Sequence, residues 1–296
     1  MSKAHHEYKP ATILCYNEKG ERFQIAREQW RSSVLPGQFH AHWDDPAALY
    51  QDICFALDDG FDRECLAPSA QLLEIDPVSE RAAVVYAVCL FKNGRIDEAE
   101  NILLRHIDSH GPSARALTGL AKIYSERDQN EKAEKTLWSS LEIDPNQKNG
   151  LNWWLELHGP SGPSARAQAL CRVAAIPGSW RAQLHQAREA LENGGIPEAL
   201  RLYRTAIDVS GADADALMEI SGELGKRGQA REALELVASL YHPDKHGPLP
   251  GINLLNSYIA LREFAPARAL LNQLYALGHP DLQERLDGYA AHLLPQ

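Results

Sequence analysis

The stretch whose reading decides the fold is ARALTGLAKIYSERDQNEKAEKTLWSSLEIDPNQ, residues Ala114–Gln147. Leu117, Leu120, Ala121 and Tyr124 recur at i, i+3, i+4 and i+7, which places them on one face of a helix with a period of 3.6 residues. Ala133, Leu137 and Leu141 repeat the arrangement in the second half. Between the two, Asp128-Gln129-Asn130 is polar and turn-prone, and Asp144-Pro145-Asn146 stops the second helix because proline cannot extend the hydrogen-bond ladder. The stretch therefore predicts a helical hairpin. Its two apolar stripes cannot both be buried inside it, so it needs neighbours on both sides.

Those neighbours are copies of it. Units start at Pro46, Glu80, Ala114, Lys148, Trp180, Ala214 and Pro248, mostly 34 residues apart. The first opens on Asp44-Asp45-Pro46, an acidic N-cap followed by proline at the first helical position. It turns at Gly60 and closes on Ile75-Asp76-Pro77, the counterpart of Ile143-Asp144-Pro145. The fourth, Lys148–Ser179, is two residues short and carries Gly159-Pro160-Ser161-Gly162-Pro163 where its turn belongs, which predicts a first helix clipped after about Leu157. We read that loop as a tolerated variation, with a flexible joint as the alternative. Leu282–Leu294 predicts one last helix, with Leu282, Leu286, Tyr289, Ala290 and Leu293 inward and Gln283, Glu284, Arg285 and Asp287 outward.

The unit resembles the tetratricopeptide repeat, whose W-x2-L-G-x2-Y, A-x3-F and P pattern is met or conservatively replaced by Leu117, Leu120, Ala121, Tyr124, Ala133, Leu137 and Pro145. The resemblance implies an all-α, right-handed solenoid of about seven helical hairpins. Residues 1–45 precede the array as a cap, 46–281 form it, and 282–296 supply a solvating helix for the last apolar face. In the cap, Thr12–Tyr16 and Arg22–Ala26 are β-prone runs around Asn17-Glu-Lys-Gly-Glu21, with Gly20 suited to a bulged hairpin turn. A lone two-stranded hairpin is marginal in water, so it is expected to dock on the first repeat. Its free edge is a possible homo-oligomer contact. Arg27–Val34 predicts a short helix bearing Trp30 and ended by Pro36-Gly37.

Composition narrows the class of partner. A net charge of −10 and a pI near 5.6 argue against a general nucleic-acid or anionic-membrane binder. Five cysteines, Cys15, Cys54, Cys65, Cys89 and Cys171, form no C-x-x-C and are read as small buried residues in a reducing compartment. The N-terminus lacks the apolar core of a secretory signal, and no stretch reaches membrane-spanning length, so a cytoplasmic protein is expected. His40 and His42 lie near Asp44 and Asp45, but no metal spacing is set on a fixed element. No motif of hydrolases, metalloproteases, phosphate loops or dinucleotide folds occurs. Neither a cofactor nor a catalytic residue is indicated.

In the family that the chain resembles, positions 2, 5, 6 and 9 of each first helix line the concave surface. In the second unit these are Arg81, Val84, Val85 and Val88, and in the third Arg115, Thr118 and Lys122. The fourth gives Asn149, Asn152, Trp153 and Glu156; the fifth Arg181, Leu184, His185 and Arg188; the seventh Ile252, Asn253 and Asn256. Asparagine amides can hold a peptide backbone whatever its sequence, and arginine can hold a carboxylate in a bidentate pair. The resemblance thus implies a groove for a protein or peptide segment, and the expected cluster of Lys122, Asn152, Trp153, Arg181, His185 and Arg188 on an acidic chain predicts a preference for an acidic stretch or a free C-terminus. The family's clamp for acidic chaperone tails is not reproduced: Tyr50 and Cys54, Val84 and Val88, and Thr118 beside Lys122 depart from it. Trp138, Trp154 and Trp180 are assigned to the core. The expected function is a non-enzymatic interaction scaffold or adaptor. A peptide-responsive regulator is the alternative, and an enzyme with an unrecognised site is the third reading.

Overall fold

The computed structural model describes residues 11–16, 22–279 and 282–293. The chain divides into two compact units, Met1–Ile143 and Asp144–Gln296. The class is all-α apart from one small sheet, and each unit is built of helical hairpins stacked side by side.

The first unit begins with strands β1 (Thr12–Tyr16) and β2 (Arg22–Ala26), antiparallel with Thr12 opposite Ala26 and Tyr16 opposite Arg22. The turn assigned to Asn17–Glu21 lies outside the described residues. Ile13 packs against the core of the first hairpin, while Leu14 and Phe23 are exposed. The helical stretch that follows does not end at Pro36. It runs as α1 (Arg27–Gln29), a π-helical turn (Trp30–Val34) and α2 (Leu35–Ala41). In the wide turn the Leu35 N–H reaches the Trp30 carbonyl. Pro36 then falls in the first turn of α2, where a missing N–H costs little. Sequence reasoning treated the proline as a stop because it did not foresee the π turn.

Three hairpins complete this unit: α3 (Pro46–Asp58) with α4 (Leu66–Ile75), α5 (Ser79–Lys92) with α6 (Ile96–His110), and α7 (Ala114–Glu126) with α8 (Asn130–Ile143). Asp45 caps α3, its Oδ1 accepting from the Ala47 and Ala48 N–H groups at 3.0 and 3.1 Å. Asp76, its side chain fully buried, takes the Arg81 guanidinium on both oxygens at 2.7 and 2.8 Å and the Val78 N–H at 2.9 Å. Burial raises its pKa, but these three donors together outweigh burial and leave it below the usual carboxylate value.

The second unit holds α9 (Lys148–His158), a 3-10 turn (Gly159–Ser161) and α10 (Pro163–Ala174), then α11 (Arg181–Glu192) with α12 (Ile196–Ser210). Next come α13 (Ala214–Lys226) with α14 (Ala230–Val237), the short α15 (Pro243–His246), and α16 (Pro248–Ala260) with α17 (Phe264–Ala276). Last is α18 (Gln283–His292), which buries Leu286 and Leu293 and exposes Gln283, Glu284, Arg285 and Asp287. The Gly159–Pro163 loop lies inside this unit.

The turn inside each of the seven hairpins places a left-handed residue at the same repeat position: Gly60, Gly94, Asp128, Gly162, Gly194, Gly228 and Arg262, with φ between 56° and 100°. In six hairpins the following N–H returns to the carbonyl five residues back, as in Gln129 to Tyr124 at 2.9 Å and Gln229 to Leu224 at 2.8 Å. This is the Schellman closure, which satisfies carbonyls that a helix end otherwise leaves orphaned. The fourth hairpin is the exception because Pro163 occupies the donor position and has no N–H. A 3-10 turn closes its first helix instead, and Pro163 starts α10.

The packing positions of the repeat form the core: Leu120, Ala121, Tyr124, Ala133, Leu137 and Leu141 are buried, as are Ala187, Ala199, Tyr203 and Ile207 two repeats later. Trp154 and Trp180 are buried with them. Trp138 is not: it is half-buried beside a surface row, and its indole N–H donates to Glu142 at 2.7 Å. It follows Leu137 directly, and one residue turns a helix by about 100°, off the apolar stripe. Among the cysteines, Cys15, Cys65 and Cys89 are buried, Cys54 is half-buried and Cys171 is exposed; all five are free thiols. Exposure of Cys171 corrects the expectation of a wholly buried set, since it sits on the outer face of α10 beside the buried Leu170.

Candidate functional site

The first helices of the second unit's hairpins, α9, α11, α13 and α16, enclose a cleft of about 380 Å³. Lys148 and Asn152 come from α9, and Arg181, His185 and Arg188 from α11. Helix α13 adds Met218, Glu219, Gly222, Glu223 and Lys226, and α16 adds Asn253. Eight of these residues, all but Lys148, Glu223 and Lys226, converge because positions 2, 5, 6 and 9 point away from the stripe that packs each hairpin against the next.

The charges are largely matched within the protein. Arg181 is 6% exposed; its guanidinium contacts both Glu219 and, at 3.3 Å, Asp215, while its Nε donates to the Asn146 carbonyl at 2.7 Å. Arg188 donates through Nη2 to the other oxygen of Glu219 at 2.6 Å and lies 3.7 Å from Glu223. Arg227, just beyond α13, reaches Glu223 at 2.6 Å and Glu192 at 3.1 Å. Alternating charges thus form a seam between α11 and α13. Among the described residues, Lys148 and Lys226 have no ion-pair partner, and both are exposed at the rim.

His185 lies between these groups. Burial, then the Arg188 charge, pull its pKa down to about 4, with Arg166 and Arg181 adding to the effect and Glu219 opposing it. The imidazole is therefore neutral at physiological pH and presents one donor and one acceptor. Asn253 donates through Nδ2 to the Met218 carbonyl at 3.2 Å and to Ser221 Oγ at 3.1 Å. A Cβ at Gly222 would meet that same Nδ2 at 3.2 Å, so the glycine leaves room for the amide.

The start of α11 is held from the preceding unit boundary. Asn146 Oδ1 accepts from the Trp180 and Arg181 N–H groups at 2.8 and 3.0 Å, and its Nδ2 donates to the Gly178 carbonyl at 2.9 Å. This residue caps the helix that carries Arg181, His185 and Arg188.

Of the residues expected in a groove, Asn152, Arg181, His185, Arg188 and Asn253 line the cleft together. Asn149, Trp153, Glu156 and Asn256 belong to the same unit but do not line it; Asn149, Glu156 and Asn256 are exposed, and Asn256 accepts from the Tyr289 hydroxyl at 2.9 Å. Lys122 belongs to the first unit. Leu184, Ile252 and Val85, also at groove positions, are core residues. Sequence reasoning missed Met218, Glu219 and Gly222, although the same positions of the sixth repeat specify them, together with Asp215. It also missed Lys148, Glu223 and Lys226, which sit at the ends of the first helices, outside those four positions.

Among the described residues, no three His, Cys, Asp or Glu side chains converge on a possible metal site. No helix is long and apolar enough to cross a membrane.

Among the described residues, each unit is a stack of helical hairpins that share one left-handed turn position and one set of buried positions, the architecture that the likeness of the sequence to the tetratricopeptide repeat implies. No family model matches the sequence, and no curated protein matches it. Among solved structures the chain is similar to yeast Tom70, at 12% identity and a TM-score of 0.49, over 88% of this chain and 57% of that one. It is also similar to pilF of Pseudomonas aeruginosa, at 16% identity and a TM-score of 0.33, over 86% of this chain and 99% of that one. A third likeness is to YrrB, a tetratricopeptide protein described as having an unusual peptide-binding site, at 14% identity and a TM-score of 0.33, over 62% and 96%. The chain spans a little over half the length of the yeast protein, 57%.

Proposed function

We propose that the protein is a non-enzymatic interaction scaffold whose second unit holds a peptide segment of a partner protein in the cleft between α9, α11, α13 and α16. The segment presents an acidic side chain or its C-terminal carboxylate to Lys148 and Lys226. One observation carries this reading: the arginines of the cleft are matched by Glu219, Asp215 and Glu223, whereas among the described residues the two lysines at its rim are not. On a chain of net charge −10, an unmatched pair of cations in a concave site favours an anionic group there. The amides of Asn152 and the neutral imidazole of His185 supply hydrogen bonds that do not depend on the partner's side chains.

The test is fluorescence anisotropy with acidic peptides that carry either a free or an amidated C-terminus. Lys148→Glu with Lys226→Glu is expected to weaken binding at least tenfold without changing the circular dichroism spectrum. Unchanged affinity in that variant would remove the cleft from consideration.

A further inference from the structure

The connector between α14 and α16 is closed by a histidine ring. Short helix α15 starts after His242, whose backbone N–H donates to Nδ1 of His246 at 2.9 Å. A backbone N–H can only donate, so this bond requires an unprotonated Nδ1 and leaves the ring proton of neutral His246 on Nε2. The residue is 6% exposed, and among the described residues Nε2 has no hydrogen-bond partner. The imidazole thus does for the N-cap N–H what the glutamate of a capping box does, with a group that titrates near neutrality. The Tyr241 hydroxyl adds a second clasp, donating to the Gly247 carbonyl at 2.7 Å. Burial pushes that phenol up to about 12, so acid leaves its bond intact.

We propose that His246 is a proton-operated latch: a proton on Nδ1 expels the ring from its place against the His242 N–H and opens α15, while α14 and α16 stay folded. Protonated Nδ1 is a donor and would face another donor at 2.9 Å. The surroundings of the ring work in the same direction. Burial, then Lys245 and His242, hold its pKa below the ordinary 6.5, opposed by Asp213 at the N-cap of α13. Helix α16, which packs on α15, carries no charged side chain. The closed connector is therefore fully favoured above pH 6.5, and each pH unit below it shifts the balance toward the open one by up to about tenfold, until the closed form itself takes the proton. Opening stays local because α16 is held separately, by Ile252, Leu254 and Leu255 in the core.

The test is amide hydrogen exchange of the full chain between pH 7.5 and 5, read by NMR as protection relative to an unstructured chain. The His242 amide is expected to lose protection by about five- to tenfold per pH unit below 6.5, while the amides of Leu254 and Leu255 keep theirs. His246→Asn, which puts a non-titrating oxygen at the position of Nδ1, should keep the His242 amide protected across the range. His242→Gln removes the neighbouring ring and keeps the backbone N–H, so it should preserve the acid response, as should His185→Gln in the cleft. Protection at residue 242 that is independent of pH, that falls equally in His246→Asn, or that falls together with Leu254 and Leu255 would overturn the latch. The ring itself gives a second reading that needs no variant. At pH 7.5, long-range proton–nitrogen correlation should show His246 as the Nε2–H tautomer, and an Nδ1–H tautomer would overturn the proposal.

Discussion

Arg188 and Glu219 face each other across adjacent first helices, Nη2 to Oε2 at 2.6 Å, while the remaining oxygen of the same carboxylate is taken by Arg181. One glutamate thus serves two arginines, one of them almost fully buried. Removing the glutamate takes a partner from two cations at once, leaving Arg181 with Asp215 and Arg188 with Glu223. Glu219→Gln is expected to cost about 2–3 kcal/mol in urea unfolding, less than the 3–5 kcal/mol typical of a wholly buried pair because Arg188 keeps Glu223 and some water. The same substitution should tighten binding of an acidic peptide, since it frees guanidinium groups at the cleft. Loss of stability together with loss of acidic-peptide affinity would contradict the arrangement described.

Asn146, two residues before α9, holds the chain that leads into α11, from Gly178 to Arg181, by three hydrogen bonds. Asn146→Ala should cost about 1 kcal/mol, as loss of a helix cap does. Asn146→Asp keeps the acceptor for the Trp180 and Arg181 N–H groups and loses only the donor to Gly178, so it should fall between. Urea midpoints of the three proteins rank them directly.

Two of the seven left-handed turn positions are occupied by residues other than glycine, Asp128 at φ 56° and Arg262 at φ 60°. Asp128→Gly and Arg262→Gly should each raise stability by about 1 kcal/mol, the usual relief of left-handed backbone for a residue with a Cβ. Gly94→Ala, at φ 74° with open space around its Cβ, should lower it by a similar amount, which separates backbone strain from crowding.

His185 gives the second unit an acid limit. Its pKa is about 4 in the folded protein against 6.5 for an ordinary histidine, so above pH 6.5 both states are neutral and it contributes nothing. Below pH 6.5 the unfolded chain binds a proton that the folded chain does not, and stability falls until the pH passes about 4, by roughly 3 kcal/mol in all. His185→Gln should flatten that limb between pH 6.5 and 4 relative to the unsubstituted protein. Parallel thermal-denaturation profiles for the two would disprove it.

The hairpins were legible because each depends on local rules: apolar spacing, a turn residue and a proline stop. Pro36 misled because a proline inside a helix is tolerated where a wider turn precedes it, and nothing local in Trp30–Val34 announces a π turn. In the site, repeat position placed Asn152, Arg181, His185, Arg188 and Asn253 on one candidate surface, and these five line the cleft together. It did not show that Arg181 and Arg188 are already paired, because their partners lie 31 to 38 residues away and the matching requires the register of α11 against α13. Lys148 and Lys226 emerged only by elimination, once the other cations had been matched to carboxylates.

If the cleft takes an anion as proposed, the seam between α11 and α13 makes cohesion and recognition competitors for the same guanidinium groups. A ligand anion that recruits Arg188 must displace Glu219 from it, whereas one that stops at Lys148 and Lys226 leaves the helices clasped. On that proposal, a partner that stopped at the lysines would leave the helix stack undisturbed, and one that recruited Arg188 would loosen the two helices that hold it.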